Sequence, residues 1–423
     1  MERVTGKGKG SKAGMIKAGL EAAFRQDEGV NSRVAMIQML IPFAINAVKE
    51  ELLGEVETLV GQRYSREQAG VKRWGSNPGS VYLGNQKASL SVPRVRDVLA
   101  GCEVPLSTYK AFQDTGVIDN AVLGTVLNGI SQRKYEKAAT LVPQTFGIRH
   151  SSVSRRFVKA AVGKLKEFLE RDLNGEDIVA VFVDGKRFAK HGIVVALGVR
   201  IDGKKTPLGF IESSVENQVV CGDFVRNLVE RGLKADDGIL FVVDGSKGLY
   251  KGIKSAIGEN AFVQRCQWHK RENMVAYPDK KVQGYFRKKL QLAYEEPDYE
   301  KAKSRLTAVR KELSLVNESA ATSLDEGFEE TLTLHKPGLF KELGRSFKTT
   351  NCLESVNRGI GMYNDRVSNW KNGNQRQRWV ATALMEIKPR LNRVNGHKHL
   401  KELKEAMKRV LLKRKSGKVG KAA

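Results

Sequence analysis

Residues 179–188, VAVFVDGKRF, climb through β-branched and aromatic side chains, stop at one carboxylate, Asp184, and leave through glycine and cations. A short apolar run of this make-up is a buried strand, and a buried strand has no reason of its own to close on an acid. The device recurs at residues 239–248, ILFVVDGSKG, where Asp244 follows a second apolar run. In an open sheet with parallel strands, residues just past the strand ends converge on one edge, where functional groups collect. Asp184 and Asp244 are therefore expected as neighbours. Asp-Gly is also a favourite turn dipeptide, so either aspartate alone reads as a turn; the repetition favours a site. Two carboxylates held close repel one another and take up protons unless a cation lies between them. Hard oxygen donors in a basic, phosphate-handling chain point to Mg²⁺, with Mn²⁺ a plausible substitute.

The flanking sequence supplies the rest of a sheet. GIVVALGVRIDGKKTPLGFIES (192–213) reads as a hairpin turning at Asp202-Gly203, and NQVVCGDFVRNLVERGL (217–233) as a helix with one apolar stripe. NAFVQRCQW (260–268) is a further strand, reached through the short helix KGLYKGIKSAIG (247–258). The order strand, hairpin, helix, strand, helix, strand describes an α/β ribonuclease H-like mixed sheet, with three antiparallel strands first and parallel additions after. This core is expected in two parts, 173–270 and 344–395. Between them, at 271–343, YFRKKLQLAYEE, YEKAKSRLTAVRKELSLV and SAATSLDEGFEETLTLH read as charged amphipathic helices, an all-helical insertion. Residues 396–423 read as a frayed basic C-terminal tail.

Ahead of the core, residues 1–80 read as a basic arm and a helical region, with Pro42 expected to kink or break the helix of 33–60. Residues 81–172 are expected to be mainly helical, and 117–170 helical throughout. GNQKASLSVPRVRD (84–97) is an extended stretch that suits a phosphate backbone or an ordinary edge strand. Within KYEKAATLVPQTFGIRHSSVSRRFVKAAV (134–162), Gly147 sits in the turn of a helix-turn-helix-like hairpin and Ser151 or Ser152 caps its second helix. Arg155 and Arg156 fall in that helix's first turns, where a recognition helix meets a groove; a plain packing hairpin fits as well.

A chain of 423 residues, 41% hydrophobic, has room for two or three domains with cores. Its net charge of +26 comes with abundant acids, so added Lys and Arg make the excess. That balance suits a polyanion, nucleic acid first, or a merely basic surface. Candidate DNA contacts are Arg94, Arg96, Arg149, Arg155, Arg156 and Arg358. Four dispersed cysteines lack the spacing of a disulfide framework or a four-cysteine zinc site. The N-terminus has no apolar signal core and no stretch approaches the roughly 18 apolar residues of a membrane helix. A cytosolic, nucleoid-associated protein without membrane contact is expected.

A two-metal site needs a third acid. The candidate is Glu354 in TTNCLESVNR (349–358), in the first turn of a helix capped by Thr350 or Asn351. The Asn351-x-x-Glu354 spacing also fits a capping box, in which the glutamate only reaches back to the backbone.

VFVDG, FVVDGSKG, RCQWHKREN (265–273) and TTNCLESVNR together resemble the bacterial insertion-sequence transposases of the Mutator type, over roughly residues 80–390. The most specific parts are Cys266-x-x-His269, directly after the fifth strand, and the Thr350-x-x-x-Glu354-x-x-Asn357 run. The resemblance implies that Asp184, Asp244 and Glu354 form a DDE triad and that the helical stretch before Glu354 is the family's insertion domain. It places Cys266, Trp268, His269 and Asn351 beside the acids, with His269 holding a phosphate or orienting an acid and Trp268 stacking on an unpaired base. The implied activity is DNA transposition: metal-dependent hydrolysis frees a 3′-hydroxyl at the element end, which then attacks target DNA. The partners are double-stranded terminal inverted repeats and target DNA, held by a homodimer or larger synaptic oligomer. A ribonuclease H-like nuclease or resolvase shares the acids without strand transfer, and a DNA-binding regulator would use neither.

Overall fold

In the computed structural model the described residues are 30–64, 70–83, 86–113, 119, 123–124, 126–127, 150–188, 191–213, 217–365, 367, 370 and 372–419. The chain divides into two compact units, residues 1–160 and 161–423.

In the first unit, helix α1 (Val30–Val60) is continuous through position 42, so the expected break at Pro42 is not there. Val48, Leu52, Val56 and Val60 recur every fourth residue and pack as one stripe on a three-stranded antiparallel sheet, β1 (Val71–Leu83), β2 (Gln86–Asp97) and β3 (Cys102–Val104). The region expected to be mainly helical thus carries a sheet. Strand β1 escapes the sequence pattern because Gly75 and Asn77-Pro78-Gly79 punctuate it; the register shifts between Arg73 and Ser76 to absorb the irregularity. β2 is the central strand of this sheet, not an edge. Pro93 is tolerated because β3 pairs only residues 95–97, leaving Pro93 with β1 on one side alone. Glu55 of α1 accepts N–H bonds from Ser107 (2.6 Å) and Thr108 (3.0 Å) at the start of α2 (Ser107–Ala111). Helix α3 (His150–Glu170) already includes Ser151 and Ser152 in its first turn, so neither precedes it as a cap. The first half of the expected hairpin, 134–149, lies outside the described residues.

The second unit is a mixed α/β structure around a five-stranded sheet in the order β6-β5-β4-β7-β8. Strands β4 (Ile178–Phe188), β5 (His191–Arg200) and β6 (Lys205–Glu212) run antiparallel as a meander turning at 201–204, and β7 (Ile239–Val243) and β8 (Ala261–Arg265) add parallel to β4. Helices α4 (Gln218–Glu230) and α5 (Lys247–Ile257) bury Phe224, Val225, Leu228, Leu249 and Ile253 against Val181, Val183, Phe241 and Val243 on one face. A strand alternates its side chains, so Phe182, Asp184, Leu240, Val242 and the residue after Val243 belong to the other face.

Between β8 and the return to that second face stand α6 (Gln267–Val275), α7 (Lys280–Tyr294), α8 (Tyr299–Val316) and α9 (Glu318–Asp325), which share a core of their own around Met274, Phe286, Leu290, Leu306, Leu313 and Leu324. The helix expected over 319–335 stops at Asp325; Gly327, at φ 72°, breaks it and a 3₁₀ turn follows at Glu329–Leu332. That turn lies along the edge strand β8. All three outward carbonyls of β8 are taken by side chains: Lys254 Nζ donates to Ala261 O (2.7 Å), Thr333 Oγ1 to Val263 O (2.6 Å) and Gln264 Nε2 to Arg265 O (2.9 Å).

The second face carries α10 (Phe340–Phe347), α11 (Asn351–Asn364), α12 (Gly373–Ile387) and α13 (Leu400–Val419). The tail expected to fray is therefore helical. Its Lys-rich surface obscures a buried stripe of Leu400, Leu403, Met407 and Leu411 at helical spacing, and ion pairs from Lys404 to Asp177, Lys408 to Asp237 and Arg414 to Glu259 tie it to the sheet margin. Among the described residues no helix is long and apolar enough to cross a membrane.

Candidate active site

Strand β4 does not end at its acid. Asp184, Gly185 and Lys186 stay in the ladder opposite Val195, Val194 and Ile193, and the strand runs on to Phe188. The turn interpretation of Asp184-Gly185 is thereby excluded. What stops at this level is the parallel neighbour: Val183 pairs with Val243, the last residue of β7. Asp184 and Asp244 each follow this last pair, on adjacent strands about 4.8 Å apart. Asp184 is buried, 8% exposed, and Asp244 is half-buried.

For Asp244 the turn interpretation holds for one oxygen. Its Oδ1 accepts N–H bonds from Gly245 (2.7 Å) and Ser246 (3.0 Å), and Ser246 in turn caps α5 by accepting from Leu249 N–H (3.3 Å). Gly245 sits at φ 139°, and a Cβ there would lie 2.6 Å from Arg265 Nε. Arg265 passes this gap to donate to Gly245 O (2.9 Å) and Glu326 O (2.9 Å), fixing the turn below Asp244.

The third acid reaches the same edge through a series of stitches. Phe347, at the end of α10, stacks on Phe182 of β4 with centroids 5.4 Å apart and planes 18° from parallel, a contact worth about 1 kcal/mol beyond its buried area. Next in the chain, Lys348 O accepts from Gln267 N–H (2.9 Å), and buried Thr350 donates its hydroxyl to Cys266 Sγ (3.9 Å). Cys266 N–H itself bonds to Val243 O (2.7 Å), one residue before Asp244. The start of α11 is thus pinned to the end of the β7–β8 pair, and Glu354 stands in its first turn.

The capping box at Asn351 and Glu354 does not form. Asn351 N–H donates to Thr349 Oγ1 (3.5 Å), and Thr350 occupies the cap position without a side-chain cap bond because its hydroxyl serves Cys266. Glu354 and Asn351 are exposed, and the Glu354 carboxylate has no hydrogen-bond or ion-pair partner among the described residues.

Cys266 is buried and occupies the N-cap position of α6; Trp268 is 45% exposed and meets the His269 ring edge-on at 4.9 Å. The Cys266 sulfur beside it raises the His269 pKa to about 9 against the burial of the ring, and Asp184 and Asp244 add to the rise. Burial pushes the Cys266 thiol up, but His269 outweighs it and the thiol titrates low. Among the described residues no partner lies within ordinary hydrogen-bond geometry of the buried His269 Nδ1, so the Cys266 sulfur acts on the ring as a close neighbour.

Among the described residues no three His, Cys, Asp or Glu side chains lie close enough together to hold a metal ion. The structure brings Asp184 and Asp244 side by side and leaves Glu354 at the rim. The donors nonetheless suit a hard divalent cation: two adjacent carboxylates, one buried, whose mutual repulsion such a cation relieves. A thiolate site is not assembled, since Cys221 packs under the opposite face and Cys352 Sγ bonds to Ser346 O (3.8 Å).

Several candidate DNA contacts are engaged internally. Arg94 pairs with Glu103, Arg96 lies over the Trp74 ring at 5.0 Å, and Arg156 pairs with buried Asp119 (2.9 Å) and covers Tyr82 at 4.6 Å. Arg155 and Arg358 are exposed, and Arg149 lies outside the described residues. Sequence reasoning missed Arg265, Gln267, Lys348 and the Thr350 hydroxyl, whose roles come only from contacts across the fold.

The family model described as "Transposase, Mutator family" matches residues 19–392. Among curated proteins, the chain is 26% identical over 313 residues to the transposase for insertion sequence element IS256 in transposon Tn4001 of Staphylococcus aureus, covering 70% of this chain and 76% of that one. It is 25% identical over 328 residues to the transposase for insertion sequence element IS406 of Burkholderia multivorans, covering 74% and 80%. The IS905 transposase of Lactococcus lactis is 23% identical over 351 residues, covering 80% and 86%.

Proposed function

The chain belongs to the Mutator family of transposases, and from that premise we propose that it is a DDE transposase that cuts DNA at the ends of an insertion sequence and joins the freed 3′-hydroxyls to target DNA. The strand order β6-β5-β4-β7-β8, with a helical excursion before α11, supports a ribonuclease H-like core in two parts, 173–270 and 344–395, carrying an insertion at 271–343. The observation that carries the proposal is the pair Asp184 and Asp244, side by side on one face with the first turn of α11 stitched to the same edge.

Asp184, Asp244 and, with α11 closed toward them, Glu354 would hold Mg²⁺ or Mn²⁺. When bound, such ions acidify an attacking water and neutralise the leaving oxygen of a phosphodiester. The chain's own part is positional. Arg265 and Thr350 fix the backbone beneath two of the acids; His269, its pKa raised to about 9, would hold the scissile phosphate, and exposed Trp268 would offer a ring to an unpaired base. Hydrolysis frees a 3′-hydroxyl. That hydroxyl then attacks a target phosphorus in line, one phosphodiester bond breaking as another forms. The net charge of +26 supplies sequence-independent affinity for duplex DNA. Joining two ends requires a dimer or larger synaptic assembly, acting on DNA in the bacterial nucleoid.

The test supplies pre-cut 3′-hydroxyl ends and a plasmid target in Mg²⁺. Joined product is expected from the wild type and none from Asp184→Asn, with duplex binding retained in a gel shift. Nicking without joining would make the protein a nuclease, and joining by Asp184→Asn would refute the assignment.

A further inference from the structure

Beside the acids lies a cavity of about 330 Å³ between β4, β5 and α11, at the lower end of the range for ligand pockets, about 300–1,000 Å³. We propose that it receives one nucleobase, adenine or cytosine, whose amine at N6 or N4 stands where guanine and thymine carry a carbonyl, swung out of the DNA next to the scissile phosphate; this rests on the DNA-cutting function proposed above.

The cavity is built around an orphan. Asn364 is 1% exposed and lines it, and among the described residues neither its Oδ1 nor its Nδ2 has a hydrogen-bond partner. Buried carboxamides are almost always satisfied, and leucine would fill the same volume without the loss. A carboxamide presents one donor and one acceptor in a plane, the pattern that reads the edge of a base. Asp365, the next residue, adds an acceptor-only group suited to an exocyclic amine and hostile to the thymine carbonyl in its place. Ile193 and Val195 give an apolar floor, and Trp370, set edge-to-face against Trp379 at 6.3 Å, contributes an aromatic wall for stacking. Exposed Lys186 stands at the rim, where a phosphate would follow the base.

The position fits the reaction. Val195 is the cross-strand partner of Asp184, and Lys186 is two residues beyond Asp184 on the same face, about 7 Å along the strand. A base cannot enter such a recess while stacked in a duplex, so occupancy requires flipping.

The test uses the full chain with dAMP, dCMP, dTMP and deoxyribose 5-phosphate as probes in titration calorimetry. Binding of dAMP and dCMP is expected to exceed that of dTMP by about tenfold and that of the sugar phosphate by more. Asn364→Leu, melting no lower than wild type, should abolish the preference among bases, and Trp370→Ala should weaken all three nucleotides. Should Asn364→Leu fail to fold, Asn364→Ser, which also removes the carboxamide, carries the same decision on preference, while Trp370→Ala and Lys186→Ala, each expected to weaken all three nucleotides, decide whether this recess is where they bind. Equal binding of the four probes, or an unchanged preference in Asn364→Leu, overturns the proposal. Mg²⁺-dependent nicking of supercoiled plasmid separates it from the catalytic assignment. Nicking without base preference sinks the pocket alone, while base preference without nicking sinks the catalysis alone.

Discussion

Lys270 offers a prediction whose size follows from its surroundings. It is 1% exposed, and its ammonium donates to Ser323 O and Glu326 O at the end of α9, where a cation meets the negative end of a helix. Burial, with Arg265 nearby, lowers its pKa from 10.5 to about 8. The unfolded chain therefore keeps this proton up to about pH 10.5, and the folded chain only to about 8. Between those values the unfolded state binds more protons, so this group's contribution to stability rises with pH. Over the whole gap the rise is about 3 kcal/mol at about 1.36 kcal/mol per pH unit, and between pH 7.5 and 9.5 it is about 2 kcal/mol. His269 acts in the opposite sense. Its pKa is raised from 6.5 to about 9, so its contribution is complete below about pH 6.5 and is lost as pH rises through 9, by a similar amount in the same window. The Cys266 thiol, held low by His269, adds a contribution that rises with pH up to about its ordinary 9.0, so the wild-type slope sums all three groups and only the comparison with a variant isolates Lys270. Lys270→Met keeps the aliphatic stem and removes the proton, so it should lose about 2 kcal/mol relative to wild type between pH 7.5 and 9.5, with any constant cost of the two freed carbonyls dropping out of the comparison. Urea unfolding followed by tryptophan fluorescence at the two pH values measures this. If variant and wild type respond to pH in parallel, to within about 0.5 kcal/mol, Lys270 is not buried as described.

Two further outcomes follow from the stitching. Thr350→Val removes the hydroxyl that binds Cys266 Sγ while keeping the shape; unfolding free energy should fall by about 1 kcal/mol or less, whereas DNA nicking should drop at least tenfold because Glu354 loses its anchor. Deleting residues 400–423 strips Leu400, Leu403, Met407 and Leu411 from the core, at about 1.5–3 kcal/mol each; set against a total stability of about 5–15 kcal/mol, soluble yield and the cooperative melt should both collapse, whereas a dispensable tail would leave them unchanged.

The sheet of the second unit was legible because its strands are continuous β-branched runs and its hairpin turns at Asp202-Gly203, where Gly203 takes φ 84°. The two aspartates were legible for the same reason: each interrupts an apolar run. Strand β1 was not, since Gly75 and Pro78 carry the local signals of a loop and only pairing with β2 overrides them. Helix α13 was hidden by its lysines, which mask a stripe that means little until the sheet is there to cover it. The capping box was a fair local expectation that failed through a distant competitor, Cys266, 84 residues from Thr350. Arg94, Arg96 and Arg156 looked like free cations because Glu103, Trp74 and Asp119 become their partners only on folding.

The covered margin of β8 has a bearing on how copies of this chain coexist. A bare outer strand is a template on which a second molecule can zip its own backbone. Here Lys254, Thr333 and Gln264 already occupy the outward carbonyls, and at the opposite border β6 carries Pro207, whose oxygen is taken by Arg171 (2.8 Å). A second copy meeting β8 therefore finds side chains in place of an open backbone on which to pair.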